Sequence, residues 1–293
     1  MFARLHQRIA RDRAPGPSHE LAQIREQLAG QQREIAALQE RAVRAEGVLR
    51  AVASEEPRNR RRLERARSGP SYEEPFTAPD PLVTVCIPTF DRIELLVERS
   101  LPSVLAQTHA NLEVLVVGDA APPAVEQAVA ALGDPRVRYE NLTHRVGHTD
   151  AHGHWLAGSS QARNLGYARA RGLWIADFDD DDELRPTAIE RVLAMARKRR
   201  LEVVYGRHRT LMPDGSEREI GVFPPQLAQY AAQGGLVHRD LRFFAREHVA
   251  AAYGEPADWE RLSRMLRAGV RIGMLDEIVA DLYPGQAWGR PTG

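Results

Sequence analysis

Apolar runs alternate with helical patterns through the middle of the chain, and this alternation constrains the fold more than any other feature. The runs that predict strands are residues 83–87, 112–117, 137–139 and 173–176. The stretches between them that predict helices are residues 92–105, 122–132 and 159–170. Strand and helix in turn predict an α/β fold with a mostly parallel central sheet flanked by helices. Ligands of such sheets gather beyond the carboxyl ends of the strands.

The composition is that of a globular protein with a basic N-terminal region. The 293 residues are 43% apolar, which is enough for one large domain or two ordinary ones. The formal net charge is zero, but residues 1–72 contain 15 arginines and only 9 acidic residues, so the rest of the chain is acidic. The arginines are interleaved with glutamates and no recognition motif follows them, which argues against nucleic acid as a partner.

The single cysteine gives an indication of the cellular compartment. Cys86 lies inside the first apolar run, so neither a disulfide framework nor a cysteine-based metal site is available. We therefore expect a cytoplasmic protein. No apolar stretch approaches the roughly 18 to 20 residues needed to span a bilayer. Residues 1–13 place apolar side chains opposite arginines, so membrane contact is expected to be peripheral at most.

A heptad pattern occupies the N-terminal region. The seam positions, spaced alternately by three and four residues, are Leu21, Ile24, Leu28, Gln31, Ile35, Leu38, Ala42, Ala45, Leu49 and Val52. Heptads sustained over this length predict a coiled coil and hence a homo-oligomer; a single amphipathic helix lying on the body is the alternative. We expect an amphipathic or coiled-coil helix over residues 1–54, a polar linker over 55–80 and one globular domain over 81–293.

An acidic cluster directly follows the fourth predicted strand. Asp177 and the four consecutive aspartates 179–182 stand behind the apolar run 173–176. Adjacent carboxylates repel one another, and a bound divalent cation removes the repulsion. Hard oxygen ligands favour Mn²⁺ or Mg²⁺, which typically complete their coordination with substrate phosphates. A solvated acidic loop is the alternative. An EF-hand is excluded because this segment lacks the glycine that an EF-hand loop requires at its sixth position.

Four motifs in order resemble the family 2 glycosyltransferases. They are "VTVCIPTFDR" (83–92), "SVLAQTHANLEVLVVGDA" (103–120), "ARNLGYARARGLWIADFDDDDEL" (162–184) and "ADWERLSRML" (257–266). The third, which leads into the family's DxD motif, is the most specific. The resemblance covers about 200 residues and implies an inverting glycosyltransferase with a GT-A-type nucleotide-binding fold, which uses a nucleotide-diphosphate sugar as donor.

The resemblance also implies a nucleotide site. Thr89, Phe90 and Asp91 would line the nucleotide pocket, with Phe90 stacked on the base. Asp119 would accept a hydrogen bond from the base N3–H, which favours UDP- and dTDP-sugars because uracil and thymine both offer that donor.

The metal motif falls on Asp179, Asp180 and Asp181. Asp181 aligns with the family's metal ligand, and Asp179 would contact the metal, its water or the ribose. Asp180 and Arg163 would contact the nucleotide, although Arg163 could instead form an ordinary salt bridge to the acidic cluster. The flanking Asp177 and Asp182 leave the register of the motif open by one residue.

Asp258 is the candidate general base, which would take a proton from the acceptor hydroxyl. Ala257 stands where the family usually has glutamate. Glu260 is the fallback base, and a third interpretation has Asp258 cap the helix that follows. His238 would lie near the diphosphate or acceptor, or on the surface.

Two features leave alternatives open. The histidines of loop 144–154 could bind zinc, or the loop could simply flank the active site. At the level of function, the Ala257 departure keeps open a coiled-coil scaffold with a nucleotide-binding but inactive domain. A nucleotidyltransferase is disfavoured because "PTFDRIELL" lacks a glycine-rich phosphate loop.

Overall fold

The computed structural model describes residues 17–145, 158–247 and 254–283. The chain divides into two compact units, Met1–Val52 and Ala53–Gly293. The described part of the first unit is helical and belongs to helix α1, whose bounds are Pro17–Arg67. The second unit contains the remaining end of that helix and a nine-stranded sheet with its covering helices.

The elements follow one another in a regular order. The further helices are α2 (Glu74–Thr77), α3 (Ile93–Leu95, a π-helical turn Leu96–Ser100, and Leu101–Leu105), α4 (Pro123–Ala131), α5 (Ser160–Arg169), α6 (Ala188–Arg199) and α7 (Ala257–Ala268). The strands are β1 (Val83–Thr89), β2 (Leu112–Gly118), β3 (Val137–Asn141), β4 (Trp174–Asp177), β5 (Glu183–Leu184), β6 (Val203–Leu211), β7 (Glu217–Ile220), β8 (Leu236–His238) and β9 (Ile272–Leu282).

The four predicted strands are confirmed and form one parallel block. The sheet order is β3-β2-β1-β4-β8-β6-β9-β5, and β7 pairs with β6. In the parallel block, Val83 pairs with Leu112 on one side and with Trp174 on the other. Every residue of β1 and β2 is buried, as expected for strands covered on both faces.

Alternate residues of these strands pack on opposite sides of the sheet. Val85 and Val114 belong to the main core, which also contains Leu101 of α3. Cys86 belongs to a separate cluster with Tyr167 of α5. Gly172 permits the close approach of the β4 entry to β1, because a Cβ atom there would lie 2.5 Å from the Thr84 nitrogen. The fold class predicted from the alternating pattern is thus confirmed.

The other half of the sheet was not predicted. β8 runs antiparallel to β4, β6 runs antiparallel to β8, and β9 joins β6 in parallel. The short strand β5, which follows the acidic cluster, pairs antiparallel with β9. This half closes the sheet beyond β4 and brings the region around residue 280 next to the acidic cluster.

Residues 55–80 differ from the linker that their polar composition predicts. Helix α1 continues to Arg67, and Leu63 is buried against a cluster that includes Leu262 and Met265 of α7. Tyr72 and Phe76 are buried in the main core. A few apolar residues, widely spaced among arginines, provide this burial, and the polar composition of the segment gives no sign of them.

A buried carboxylate fixes the end of α1 to the sheet. Glu202 is fully buried and accepts hydrogen bonds from Arg67 Nε and Nη2 at 2.7 and 2.8 Å. The Tyr72 hydroxyl and the Arg271 backbone N–H also donate to it. Burial alone would raise the pKa of Glu202, but these donors outweigh it and lower the pKa. The carboxylate is therefore charged and fully partnered.

The described helices include none that is both long and apolar enough to cross a membrane. The coiled coil predicted for residues 1–54 stays a prediction, because the structure contains one copy of the chain. The proposed domain limits likewise remain predictions.

Arg67→Ala should lower the free energy of unfolding by about 3 kcal/mol, because a buried carboxylate loses its bidentate cationic partner and keeps the longer ion pair to Arg271 at 3.4 Å. Urea denaturation of the full chain measures this. Arg65 on the same helix is exposed, so Arg65→Ala should cost less than about 0.5 kcal/mol. Equal effects of the two changes would show that the contact does not anchor the segment.

Candidate active site

The carboxyl ends of β1, β2 and β4 meet at one edge of the sheet, and the predicted site residues follow these ends. Thr89 ends β1 and pairs with Gly118 of β2, which directly precedes Asp119. Cys86 pairs with Asp177, the last residue of β4. Parallel pairing therefore brings the segments 89–91, 119 and 177–182 together from three separate parts of the chain.

Asp177 is a buried structural residue. Its carboxylate accepts hydrogen bonds from the Tyr167 hydroxyl at 2.6 and 2.7 Å. Three guanidinium groups surround it, with Arg261, Arg246 and Arg163 at 3.1, 3.3 and 3.5 Å. Burial alone would raise the pKa of Asp177, but the three cations outweigh it and hold the pKa well below its usual range. This carboxylate is fully engaged, so it belongs to the scaffold of the site.

Three other carboxylates converge at the same place. One carboxylate oxygen from each of Asp179, Asp181 and Asp182 lies within 4.8 Å of the others. Asp182 is buried, and the other two are half-buried. The structure thus brings Asp182 together with Asp179 and Asp181 and leaves Asp177 outside this group. A triad of hard oxygen donors at this spacing fits a divalent cation such as Mn²⁺ or Mg²⁺.

The surroundings of the cluster disfavour the charged form of Asp180, Asp181 and Asp182. Burial and the neighbouring Asp179 and Asp181 raise the pKa of Asp182 well above its ordinary value. Burial and Asp179 also raise the pKa of Asp181. Burial raises the pKa of Asp180 to about 6. Mutual repulsion in a water-poor environment is relieved when a cation binds.

Arginines compensate part of this charge. Arg92 lies against Asp181 and at 3.4 Å from Asp180. The Arg99 guanidinium donates to the backbone carbonyl of Asp181 at 2.7 Å. Arg163 contacts Asp179, as the salt-bridge alternative for this residue expected. The structure therefore places Arg163 beneath the cluster, where it is 4% exposed.

The predicted nucleobase pocket is occupied by an arginine side chain. The Arg145 guanidinium lies 4.0 Å from the centre of the Phe90 ring, and its Nε donates to Asp119 at 2.9 Å. Phe90 is half-buried, Thr89 and Asp119 are buried, and Asp91 is exposed. One cation thus contacts both the ring proposed to stack on a base and the carboxylate proposed to read it.

Asp258 lies in the first turn of α7 and lines a small cavity together with Asp177, Arg246, Arg261 and Tyr230. Its carboxylate accepts the Trp259 N–H at 2.8 Å. The helix begins at Ala257 and its N-cap residue is Pro256, so Asp258 lies inside the first turn and is not the cap. Burial raises the pKa of Asp258, and the nearby Arg246 opposes the rise.

Glu260 is placed differently from Asp258. Arg264 donates to both of its carboxylate oxygens, at 2.5 and 2.8 Å. Burial raises the pKa of Glu260 as well, and Arg264 opposes the rise. Glu260 differs from Asp258 in that both of its oxygens are engaged by one guanidinium group.

Several site residues were missed by sequence reasoning. Gln233 donates to Asp179, and Arg246 contacts Asp177 from the loop before α7. The Asn164 amide holds Arg246 by donating to its carbonyl and accepting its N–H, both at 2.8 Å. Gln233 and Arg246 lie in the half of the chain where no pattern was recognised, and neither carries a motif.

Two further expectations have different outcomes. His238 lies neither at the site nor on the surface, but in the core beside Tyr72 and Trp174, where its Nε2 contacts the Tyr72 carbonyl oxygen at 2.9 Å. The zinc alternative for loop 144–154 depends on residues beyond 145, which lie outside the described part of the chain.

The fold is of the GT-A type seen in nucleotide-sugar glycosyltransferases. It is similar to Staphylococcus aureus TarS 1–349 in complex with UDP, with a TM-score of 0.54 and 16% identity, over 69% of this chain and 60% of that one. It is also similar to the mannosyltransferase PcManGT from Pyrobaculum calidifontis, in complex with GDP-Man and Mn²⁺, with a TM-score of 0.53 and 16% identity, over 85% of this chain and 70% of that one.

Residues 84–221, a little under half of the chain, match the model of glycosyl transferase family 2, in agreement with the resemblance of the sequence motifs. It is 36% identical over 116 residues to the succinoglycan biosynthesis protein ExoO of Rhizobium meliloti, covering 40% of this chain and 30% of that protein. It is 33% identical over 117 residues to the putative colanic acid biosynthesis glycosyl transferase WcaA of Escherichia coli, covering 39% of this chain and 38% of that protein. The chain therefore spans less than two-fifths of the length of these relatives.

Asp177→Asn should lower the free energy of unfolding by about 3 kcal/mol, because three buried guanidinium groups lose their counter-charge. Because the pKa of Asp177 is depressed in the folded state, this stabilisation is present above the pKa of the unfolded chain and is lost in acid. Urea denaturation at pH 7 measures the loss. Asp276 is an exposed partner of Arg207, and Asp276→Asn should cost less than about 0.5 kcal/mol. A stable Asp177→Asn protein would contradict the structural role.

Cation binding by the cluster should weaken as the pH falls through about 6, where Asp180 takes up a proton in the metal-free protein. Calorimetry with MnCl₂ should show an affinity about tenfold lower at pH 5 than at pH 7.5. Raised pKa values favour the metal-free fold at low pH, and this stabilisation is lost as the pH rises through about 6. Mn²⁺ should therefore raise the melting temperature mainly at neutral pH. An affinity independent of pH would contradict the assignment.

Proposed function

We propose that the protein is a metal-dependent inverting glycosyltransferase, which moves a sugar from a nucleotide-diphosphate sugar to an acceptor hydroxyl. The observation that carries this proposal is the convergence of Asp179, Asp181 and Asp182 at the strand edge that also bears Phe90 and Asp119. The match of residues 84–221 to the family model supports the reaction class. The solved complexes of similar fold with UDP, or with GDP-Man and Mn²⁺, support a nucleotide-sugar donor and a divalent ion.

The metal ligands are Asp179 and Asp181, and Asp182 adds a third carboxylate. The ion, Mn²⁺ or Mg²⁺, neutralises the charge of the leaving diphosphate when it is bound. The protein residues hold it at the end of β4, which places the diphosphate at the edge of the sheet. Asp180 and Arg163 contact the nucleotide from the same side. Arg92 compensates Asp181 and would be available to the phosphates where a bound ion compensated that carboxylate instead.

The nucleoside occupies the pocket formed by Thr89, Phe90, Asp91 and Asp119. A base that stacks on Phe90 and donates its N3–H to Asp119 must replace the contacts that Arg145 makes with these two residues. UDP- and dTDP-sugars are the favoured donors because their bases offer that N–H group. Donor binding in this site is therefore an exchange of one set of contacts for another.

Asp258 is the general base that takes the proton from the acceptor hydroxyl while the diphosphate leaves from the opposite face of the sugar. Its burial raises its pKa, which strengthens it as a base, and Arg246 keeps the rise limited. Glu260 is the weaker candidate because both of its carboxylate oxygens already accept hydrogen bonds from Arg264. We further propose that the protein acts as a homo-oligomer joined through residues 1–54, and that any membrane contact is peripheral.

Asp258→Asn should reduce kcat for transfer by about 10² to 10⁴, because proton transfer loses its acceptor. Release of UDP from a panel of UDP-sugars, with Mn²⁺ and mixed acceptors, measures the rate. Binding of UDP with Mn²⁺ should survive this change, since Asp258 is not one of the three converging carboxylates. Glu260→Gln should keep most of the activity.

Asp181→Asn provides the complementary test. It should abolish the stabilisation of the protein by UDP that depends on Mn²⁺, as seen in thermal unfolding with and without the ion. A protein that releases no UDP from any donor, and whose nucleotide binding is unchanged by Asp181→Asn, would favour the inactive scaffold over the enzyme.

A further inference from the structure

The heptad seam of α1 is uncovered by the described residues of the chain. Among its apolar members, Ile24, Leu28, Ile35 and Leu49 have exposed fractions of 50, 52, 55 and 68%. Leu21 and Leu38 are similarly exposed. Isolated helices gain little stability from propensity alone, and an apolar stripe of this length is stabilised when another surface covers it.

A second copy of the same helix fits this stripe. The seam from Leu21 to Val52 keeps the alternate spacing of three and four residues without a break, which is the pattern that two supercoiled helices bury between them. At 1.5 Å per residue the seam extends about 48 Å. The flanking positions carry both signs of charge, as with Arg41 and Glu46, which pair between copies when the helices run in parallel.

The charges alone do not choose an orientation. In a parallel pair Arg41 faces Glu46 of the second copy, and in an antiparallel pair of full overlap Arg41 faces Glu34 of that copy. Both arrangements place opposite charges together. The orientation must therefore be set by the residues within the seam.

Gln31 is the polar residue of the seam, and it distinguishes the arrangements. In a parallel, in-register pair it meets Gln31 of the second copy, and each amide can donate to the other. In the antiparallel pair it meets Ala42, whose methyl group offers no hydrogen bond. A buried unsatisfied amide costs about 1 to 3 kcal/mol. A shift by one heptad places Gln31 against Ile24 or Leu38, at the same cost.

We infer that residues 21–52 form a parallel, in-register, two-stranded coiled coil with a second copy of the chain, and that Gln31 sets its orientation and register. This inference rests on the proposed homo-oligomer and not on the proposed transfer reaction. It adds which residues of the two copies face each other: each seam residue faces its own counterpart.

The native mass of the full chain tests the association. Light scattering coupled to gel filtration should give twice the 32.7 kDa of one chain. Ile35→Asp on the seam should convert the protein to the monomer. Val43 lies off the seam and is 70% exposed, so Val43→Asp should leave the mass unchanged. A monomeric wild-type protein, or one with more than two copies, overturns the two-stranded pairing.

Disulfide formation tests the orientation. The native Cys86 is buried, so any crosslink on oxidation comes from the added cysteine. Ile24→Cys should yield a covalent dimer on oxidation, since facing seam positions lie within roughly the 4.4 to 6.8 Å that a disulfide spans. Val43→Cys should not. In the antiparallel pair, position 24 faces position 49. A mixture of Ile24→Cys and Leu49→Cys chains, made distinguishable in size by a tag on one of them, would in that case form the disulfide between the two different chains.

Gln31→Leu separates orientation from association. It should keep the dimer but allow mixed disulfides between positions 24 and 49, because the amide no longer penalises the antiparallel pair. A dimeric wild-type protein in which Ile24→Cys fails to crosslink with itself overturns the orientation and leaves the proposed homo-oligomer standing. UDP release from nucleotide sugars is a separate measurement, so loss of activity cannot be mistaken for either outcome.

Discussion

The buried carboxylate of Asp177 is the contact on which the candidate site depends. It receives Arg163 from α5, Arg261 from α7 and Arg246 from the loop between β8 and α7. These three elements come from distant parts of the sequence, and one of them carries Asp258. The same carboxylate ends β4, directly before the converging aspartates. The distance between the proposed metal ligands and the proposed base is therefore set by one charged cluster in the core.

Acidic residues that are neighbours in the sequence fall into two groups with different electrostatic surroundings. Asp177 has more cationic partners than it can neutralise, and its pKa is depressed. Asp181 and Asp182 have fewer, and their pKa values are raised although Arg92 and Arg99 lie close by. The buried Asp177 is thus surrounded by an excess of positive charge, whereas Asp181 and Asp182 at the sheet edge have too little positive charge near them. A dication at the sheet edge would complete the balance.

The parallel half of the fold was predictable because its strands and helices have distinct periods, and parallel pairing then dictates which loops meet. The division of roles within the acidic run was not, because adjacent letters do not reveal which carboxylate turns inward: Asp177 proved structural and Asp182 joined the converging group. Arg246 and Gln233 were unpredictable for another reason. Their segments have no regular period, and their positions follow from antiparallel strands that only tertiary pairing defines.

The packing of Leu63, Tyr72 and Phe76 has a practical consequence for any recombinant fragment of this protein. The segment recognisable by homology, residues 84–221, leaves out these side chains, and also α7 and β9. A fragment cut at those limits would expose the underside of Trp174 and remove the partner of Glu202. The boundary that homology marks and the boundary at which the polypeptide can fold by itself are different, and expression should begin upstream of Leu63.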